Sequence, residues 1–312
     1  MEKITLGSSP LEASRIAYGC WRIASSGETK TDLLTARNAV MAAVEAGITL
    51  FDLADIYCNG RSESAFGQVL HEQPALRKKV LIATKCGIRP SDSPGGSNRY
   101  DSSAEHIIRS CEGSLRRLGV DRIDLYQLHR PDWLMEVDEV AKAFQKLEKQ
   151  GKVRDFGVSN FTPTQIELLG KVMMKDAELP IIVQQIEISL LQLDAFTDGR
   201  LDQCLLQNIT PLAWSPLGSG LLGDGAVSLL PSQQGYEARA IIHELDAIAK
   251  ERESTRSTIA LAWLLRHPAK IIPIIGSTRP ERIKAAALAA EIELTRDEWY
   301  RLLIAAKGGA LA

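Results

Sequence analysis

The sequence predicts an α/β fold, a (β/α)8 TIM barrel with a short N-terminal β-hairpin and closing C-terminal helices. Three observations predict it. Eight short apolar runs of strand length are spread along 312 residues, helix-period segments separate most of them, and Gly or Pro punctuates the junctions. Apolar runs without polar alternation suit strands buried on both faces, as in a parallel sheet. A strand–helix series in a chain somewhat above the ~250 residues typical of the architecture suits a closed barrel. No linker-like composition break interrupts the series, so residues 1–312 are expected to form a single barrel domain.

Taken in order, Ile4, Leu6 and Leu11 around Gly7-Ser8-Ser9-Pro10 predict the hairpin, and residues 16–18 the first buried strand, with Trp21 opening the loop behind it. Leu33, Leu34, Val40, Ala43 and Val44 recur at helical spacing over residues 31–46, and Gly47 stands where a left-handed C-terminal cap belongs. Strand two is expected at 48–52, a helix at 62–71, strand three at 80–84, a helix at 103–118 stopped by Gly119, and strand four at 123–128. A helix at 137–150 closed by Gly151 precedes strand five at 153–158, and Thr162-Pro163 reads as the N-cap and first turn of the next helix. Strands six and seven fall at 181–186 and 210–214. Helical patterns at 236–253 and 259–266 precede strand eight at 271–275, and 280–290 and 296–306 close the chain. The segments 86–101 and 215–235, behind strands three and seven, are long and rich in Gly, Ser and Pro, which suits lids on the face where barrel enzymes carry their chemistry.

Composition narrows the function classes. A net charge of -2 without charged blocks gives no electrostatic case for nucleic acid or an anionic membrane, so a small-molecule partner is expected. No signal-peptide run opens the chain, and no stretch approaches the roughly 20 apolar residues of a membrane helix. The five cysteines, widely spaced and without a CxxC pair, suit a reducing compartment. The expectation is a cytoplasmic protein, a monomer or weak oligomer, with no membrane attachment.

Four ionisable groups converge on strand ends: Asp52 ends strand two, Tyr57 lies in the loop behind it, Lys85 ends strand three and His129 ends strand four. A lysine beside a phenol favours the phenolate and is expected to lower the tyrosine pKa, while an aspartate holds that lysine charged. Singly, each has an ordinary reading as an ion-pair partner, packed ring, surface charge or core histidine. Together, on adjacent strand ends, they form a candidate proton-transfer site.

The stretches FDLADIY and GRSESAFG, with IATKCG, LHRPD, GVSNF, VQQIE and AWSPLGSGLL, resemble the aldo-keto reductase superfamily over nearly the whole chain, most closely its bacterial YdhF-type branch. The resemblance implies reduction of an aldehyde or ketone by direct hydride transfer from NADPH, without a metal. In that pattern Asp52, Tyr57, Lys85 and His129 match the catalytic tetrad, with Tyr57 as general acid. Ser159, Asn160 and Gln185 match positions that hold the nicotinamide carboxamide, Trp214 the ring stacked on it, and Ser215, Leu217, Gly218 and Ser219 the pyrophosphate loop. Ser277, Arg279 and Arg282 are candidates for the 2′-phosphate, although Gly276 replaces a lysine common in many members. Trp21 and Trp133 are expected to wall the substrate pocket with apolar area, Tyr100 to close over it, and the absence of an extended C-terminal loop to leave the site open.

Residues 218–223 formally read GxGxxG, but they come late in an unbroken βα series with no helix directly behind, which argues against a Rossmann fingerprint. A cofactor-binding regulatory or redox-sensing subunit with little turnover is the alternative from another class. A metal-dependent hydrolase using Asp52, Asp55 and His129 lacks HxH or HExxH spacing. Cys20, Cys58 and Cys86, all near this face, read more simply as small core fillers than as redox sensors.

Overall fold

The computed structural model describes residues 1–24, 29–91, 96–224 and 238–310. Its strands are β1 (Lys3–Thr5), β2 (Glu12–Ser14), β3 (Ala17–Gly19), β4 (Leu50–Asp52), β5 (Leu81–Cys86), β6 (Ile88–Arg89), β7 (Arg99–Tyr100), β8 (Ile123–Leu128), β9 (Val153–Ser159), β10 (Ile181–Glu187), β11 (Thr210–Trp214) and β12 (Ile272–Ile275). Eight of them close into a barrel in the order β10-β11-β12-β3-β4-β5-β8-β9, every neighbouring pair parallel. All eight correspond to the apolar runs expected from the sequence.

The helices are α1 (Thr29–Glu45), α2 (Arg61–Glu72), α3 (Ala104–Leu118), α4 (Val137–Lys149), α5 (Pro163–Ala177), α6 (Arg200–Gln207), α7 (Arg239–Glu251), α8 (Arg256–Leu265), α9 (Pro280–Ala287) and α10 (Arg296–Lys307). Gly47 behind α1 has φ +82, the left-handed geometry that a side chain at that position would strain. Thr162 caps α5 through a capping box with Gln165. The start of α8 lies before the expected residue 259 because Thr255 accepts a hydrogen bond from Thr258 N and opens the helix earlier.

One helix and one strand pair went unread in the sequence. In α6, Leu201 and Cys204 are buried while Leu205 and Leu206 are exposed, so apolar residues on both faces blur its periodicity. The pair β6–β7 is antiparallel and folds part of the expected 86–101 loop into a small hairpin that carries Tyr100 at its rim. Residues 92–95 of that loop, residues 225–235 of the 215–235 loop and residues 236–237 at the expected start of the 236–253 helix lie outside the described residues.

The N-terminal hairpin plugs one end of the barrel. Ile4, Leu6, Leu11 and Ala13 pack in one cluster with the barrel-lining Ala17, Leu50, Ala83, Leu125, Leu212 and Ile272. Gly7 N donates to Thr210 Oγ1 at 2.8 Å, at the first residue of β11, which fixes the plug at the N-terminal ends of the strands. The second cluster fills the shell between barrel and helices, with Phe144 on α4 stacked against Phe156 on β9 at 4.2 Å between centroids. Apolar side chains therefore occupy both faces of the strands through much of their length, and the buried Asp52, Lys85 and Gln185 lie toward their C-terminal ends.

Candidate active site

Parallel register puts Lys85 and Gln127 at one level of the barrel interior and Asp52 one step below, level with Ala83. Asp52 pairs with Gly19 and with Ala83, and Lys85 with Gln127. Because side chains alternate along a strand, Lys85 faces inward in the step above Ala83, and His129 faces inward above Gln127. Lys85 is wholly buried, Asp52 nearly so, and His129 is 8% exposed.

The Lys85 ammonium uses its three protons on three acceptors. Nζ donates to Asp52 Oδ2 at 2.8 Å, to the Leu53 carbonyl at 2.8 Å and to Tyr57 Oη at 3.1 Å. Burial works against its charge, but Asp52 and Tyr57 outweigh that and hold its pKa above the ordinary lysine value. Tyr57 corrects an expectation. Burial pushes its hydroxyl above the ordinary 10.0, and the nearby Lys85 only restrains the rise, so the phenol stays protonated through neutral pH. The reason is geometric: the same enclosure that brings Lys85 to the phenol also removes the water that would solvate a phenolate. His129 is held well below 6.5 by burial, then by Lys85 and Arg130, and is therefore a neutral imidazole. Its ring stands edge-on to Tyr57 at 5.8 Å, and its Nδ1 has no hydrogen-bond partner among the described residues.

Backbone strain gathers at this rim. Among the described residues, Cys58, Asn59, Asn160, Ser215 and Ser219 all have positive φ, and all follow the C-terminal ends of barrel strands. Left-handed non-glycine residues cost stability and persist where surrounding structure holds them for another purpose. Cys58 and Asn59 directly follow Tyr57 in the 3-10 turn Tyr57–Gly60, so they set the direction from which the phenol enters the site.

The residues expected to hold the cofactor form one chain of contacts. Trp214 Nε1 donates to Asn160 Oδ1 at 3.0 Å, Asn160 Nδ2 donates to Ser159 Oγ at 2.7 Å, and Asn160 N donates to the Gln185 carbonyl at 2.9 Å. Gln185 makes a contact that the sequence reading did not include: its Nε2 donates to Asp52 Oδ1 at 2.9 Å, so this amide reaches the ion pair itself. Ser215 and Leu217 lead into the tight turn Gly218–Gly220, in which Gly218 and Ser219 are left-handed. Ser277 Oγ accepts from Arg279 N at 3.2 Å and its carbonyl accepts from Tyr18 Oη at 3.0 Å. Arg282 Nη2 donates to Asp224 O at 3.4 Å, which ties the loop behind β11 to the first turn of α9. Both arginines are exposed, and the Arg279 guanidinium makes no hydrogen bond or ion pair among the described residues, which fits a site for a phosphate group.

The two expected pocket walls separate. Trp21 is 59% exposed with its ring 6.4 Å from that of Tyr57, so it borders the site. Trp133 is 90% exposed and meets no aromatic ring among the described residues; the structure does not bring it against the tetrad. The cysteines are free thiols, and Cys20, Cys86, Cys111 and Cys204 are buried; burial pushes Cys111 and Cys204 up to about 12. Among the described residues no group of three His, Cys, Asp or Glu side chains could hold a metal ion, and no helix is long and apolar enough to cross a membrane.

Three rim residues escaped the sequence reading. Arg22 reaches from behind Trp21 toward the Gly276 carbonyl at 3.5 Å and lies over the Trp21 ring at 5.3 Å. Arg130 lies over the Trp214 ring at 5.5 Å. Glu187 ends β10 beside it. The signal for the last two was adjacency, since Arg130 follows His129 inside LHRPD and Glu187 ends VQQIE.

A protonated phenol held by a buried ammonium at the open mouth of a parallel barrel is the equipment of a carbonyl-reducing oxidoreductase. Comparison with known proteins makes this particular. The chain belongs to the aldo/keto reductase family, whose profile matches residues 15–306. It is 41% identical to the 6-dehydroglucose reductase of Novosphingobium aromaticivorans, over 98% of this chain and 96% of that one. It is 40% identical to the 6-dehydroglucose reductase of Agrobacterium fabrum, over the whole of both chains. Similarity to oxidoreductase YdhF of Escherichia coli is 38% identity over 99% of this chain and 98% of that protein.

Proposed function

We propose that this enzyme reduces small aldehydes or ketones to alcohols with NADPH, and that Tyr57 is the proton donor. The observation that carries the reading is the Lys85 ammonium, which joins Asp52 at 2.8 Å to Tyr57 at 3.1 Å in a buried pair with no other evident task. NADPH supplies the hydride when bound. The chain's own groups supply the rest. Trp214, Ser159 and Asn160 hold and orient the nicotinamide, while Arg279, Arg282 and Ser277 take the 2′-phosphate.

A carbonyl oxygen placed between Tyr57 and His129 meets two hydrogen-bond donors. As negative charge develops on that oxygen, the Tyr57 hydroxyl passes its proton to it, and Lys85 stabilises the phenolate left behind. Neutral His129 orients the carbonyl through an N–H without competing for the proton. Asp52, itself held by Gln185, keeps Lys85 charged and directed at the phenol. Because two relatives carry the name 6-dehydroglucose reductase, we extend to this chain an oxidised sugar as one substrate class.

The test is NADPH oxidation by purified protein with a panel of aldehydes and ketones that includes 6-dehydroglucose. Turnover with at least one of them is expected. Cofactor binding without turnover on any member would refute the reductase reading and leave the regulatory one.

A further inference from the structure

Arg130 and Glu187 are two half-buried charged side chains at the mouth of the barrel that satisfy each other only at a distance. Arg130 follows β8 and lies over the ring of Trp214, which ends β11 on the far side of the barrel, so its guanidinium stands over the opening. It touches the electrostatics of His129, its chain neighbour. Glu187 ends β10 in register with Trp214 and, by strand alternation, faces the same way as Gln185, which contacts Asp52. Burial pushes the Glu187 carboxyl up, and Arg130 and Arg200 oppose that rise, so the two charges sense each other.

Neither Arg130 nor Glu187 makes a hydrogen bond or ion pair among the described residues. Partly buried charged groups ordinarily find partners, and leaving them without is costly. The guanidinium offers only donors, and an ionised carboxylate only acceptors. A hydroxyl both donates and accepts, so neighbouring hydroxyls satisfy both groups at once. A carboxylate on the substrate would gain from Arg130 and be repelled by Glu187, whereas an apolar chain would cover both charges and leave them unpaired.

We infer that Arg130 and Glu187 form a specificity site that reads hydroxyl groups on the carbon chain beside the reacting carbonyl, and that the substrates are polyhydroxylated aldehydes or ketones. The inference rests on the reductase reading and narrows it. It adds charged groups to the apolar pocket expected from Trp21 and Trp133, of which Trp133 is 90% exposed.

The test compares D-erythrose with butanal, which share a carbon chain and differ in their hydroxyls, in wild type, Arg130→Met and Glu187→Gln. Methionine keeps an apolar stem against Trp214, and glutamine keeps the shape of the acid. In each variant the ratio of kcat/KM for D-erythrose to that for butanal is expected to fall by roughly 30-fold. Equal losses on the two aldehydes would overturn the inference, since the residues would then act through Trp214 or the fold. If wild type reduces neither aldehyde, the reductase reading is judged on the wider panel and the hydroxyl site on binding alone. Calorimetry with erythritol then decides the hydroxyl site: binding to wild type that is lost in either variant supports it, and equal or absent binding overturns it.

Discussion

Replacing Lys85 with Met tests the centre of the site, because the consequences for stability and for catalysis can be separated. The ammonium and the Asp52 carboxylate are 0% and 4% exposed and 2.8 Å apart. Methionine of similar length leaves Asp52 with the Gln185 amide as its side-chain partner and removes the donor from the Leu53 carbonyl and Tyr57 Oη. Removing one member of a buried ion pair costs about 3–5 kcal/mol, which for a chain of this size lowers Tm on the order of 10 °C. A second change, Asp52→Asn in the same chain, removes the stranded charge, and most of the lost Tm should return. Activity should not return with it. Nothing would then restrain the phenol pKa that burial raises, and general acid catalysis worth roughly 10²–10⁴-fold would be lost in the single and the double variant alike. Thermal unfolding followed by circular dichroism and NADPH oxidation with one aldehyde measure the two quantities. A single variant with wild-type Tm, or a double variant that regains turnover along with Tm, would refute the reasoning.

Further predictions address the neighbouring groups. Tyr57→Phe should lower carbonyl reduction by about 10²–10⁴-fold with little change in NADPH affinity, read by tryptophan fluorescence, because it deletes the donor and leaves Lys85 with two of its three acceptors; wild-type turnover in this variant would remove Tyr57 as the acid. Replacing Arg279 and Arg282 together with Ala should weaken NADPH at least tenfold more than NADH, and equal losses would mean that neither reads the 2′-phosphate. Asp55 carries a pH signature. Burial, then Glu63, raises its carboxyl from 3.8 to about 7 against the pull of Arg117 and Ser110. The native state therefore holds a proton that the unfolded chain releases, so its contribution is fully present below about pH 4 and is lost as pH rises through 7. Asp55→Asn should raise Tm at pH 8 and leave it unchanged at pH 4; a gain of equal size at both pH values would show that its charge is not the cause.

Strand and helix periodicity made the barrel legible, because strands buried on both faces need unbroken apolar runs and covering helices need one apolar side. The exceptions follow the same physics. In α6, exposed Leu205 and Leu206 mix the faces, and the two-residue strands β6 and β7 are too short to show any period. Asp52, Tyr57, Lys85 and His129 could be singled out because each sits at or just behind the end of an apolar run, where a polar residue on a rigid strand is conspicuous.

What the sequence by itself determined was the order of the elements and which titratable side chains would be carried to the barrel's C-terminal rim, since both depend on short-range spacing. Only the tertiary structure decided how those groups act on one another. Whether Lys85 lowers the Tyr57 pKa or burial raises it depends on enclosure by segments distant in the chain. That Gln185 reaches Asp52 and that Arg130 spans the mouth to Trp214 are likewise consequences of barrel closure, which sets distances between strands that no spacing along the chain encodes.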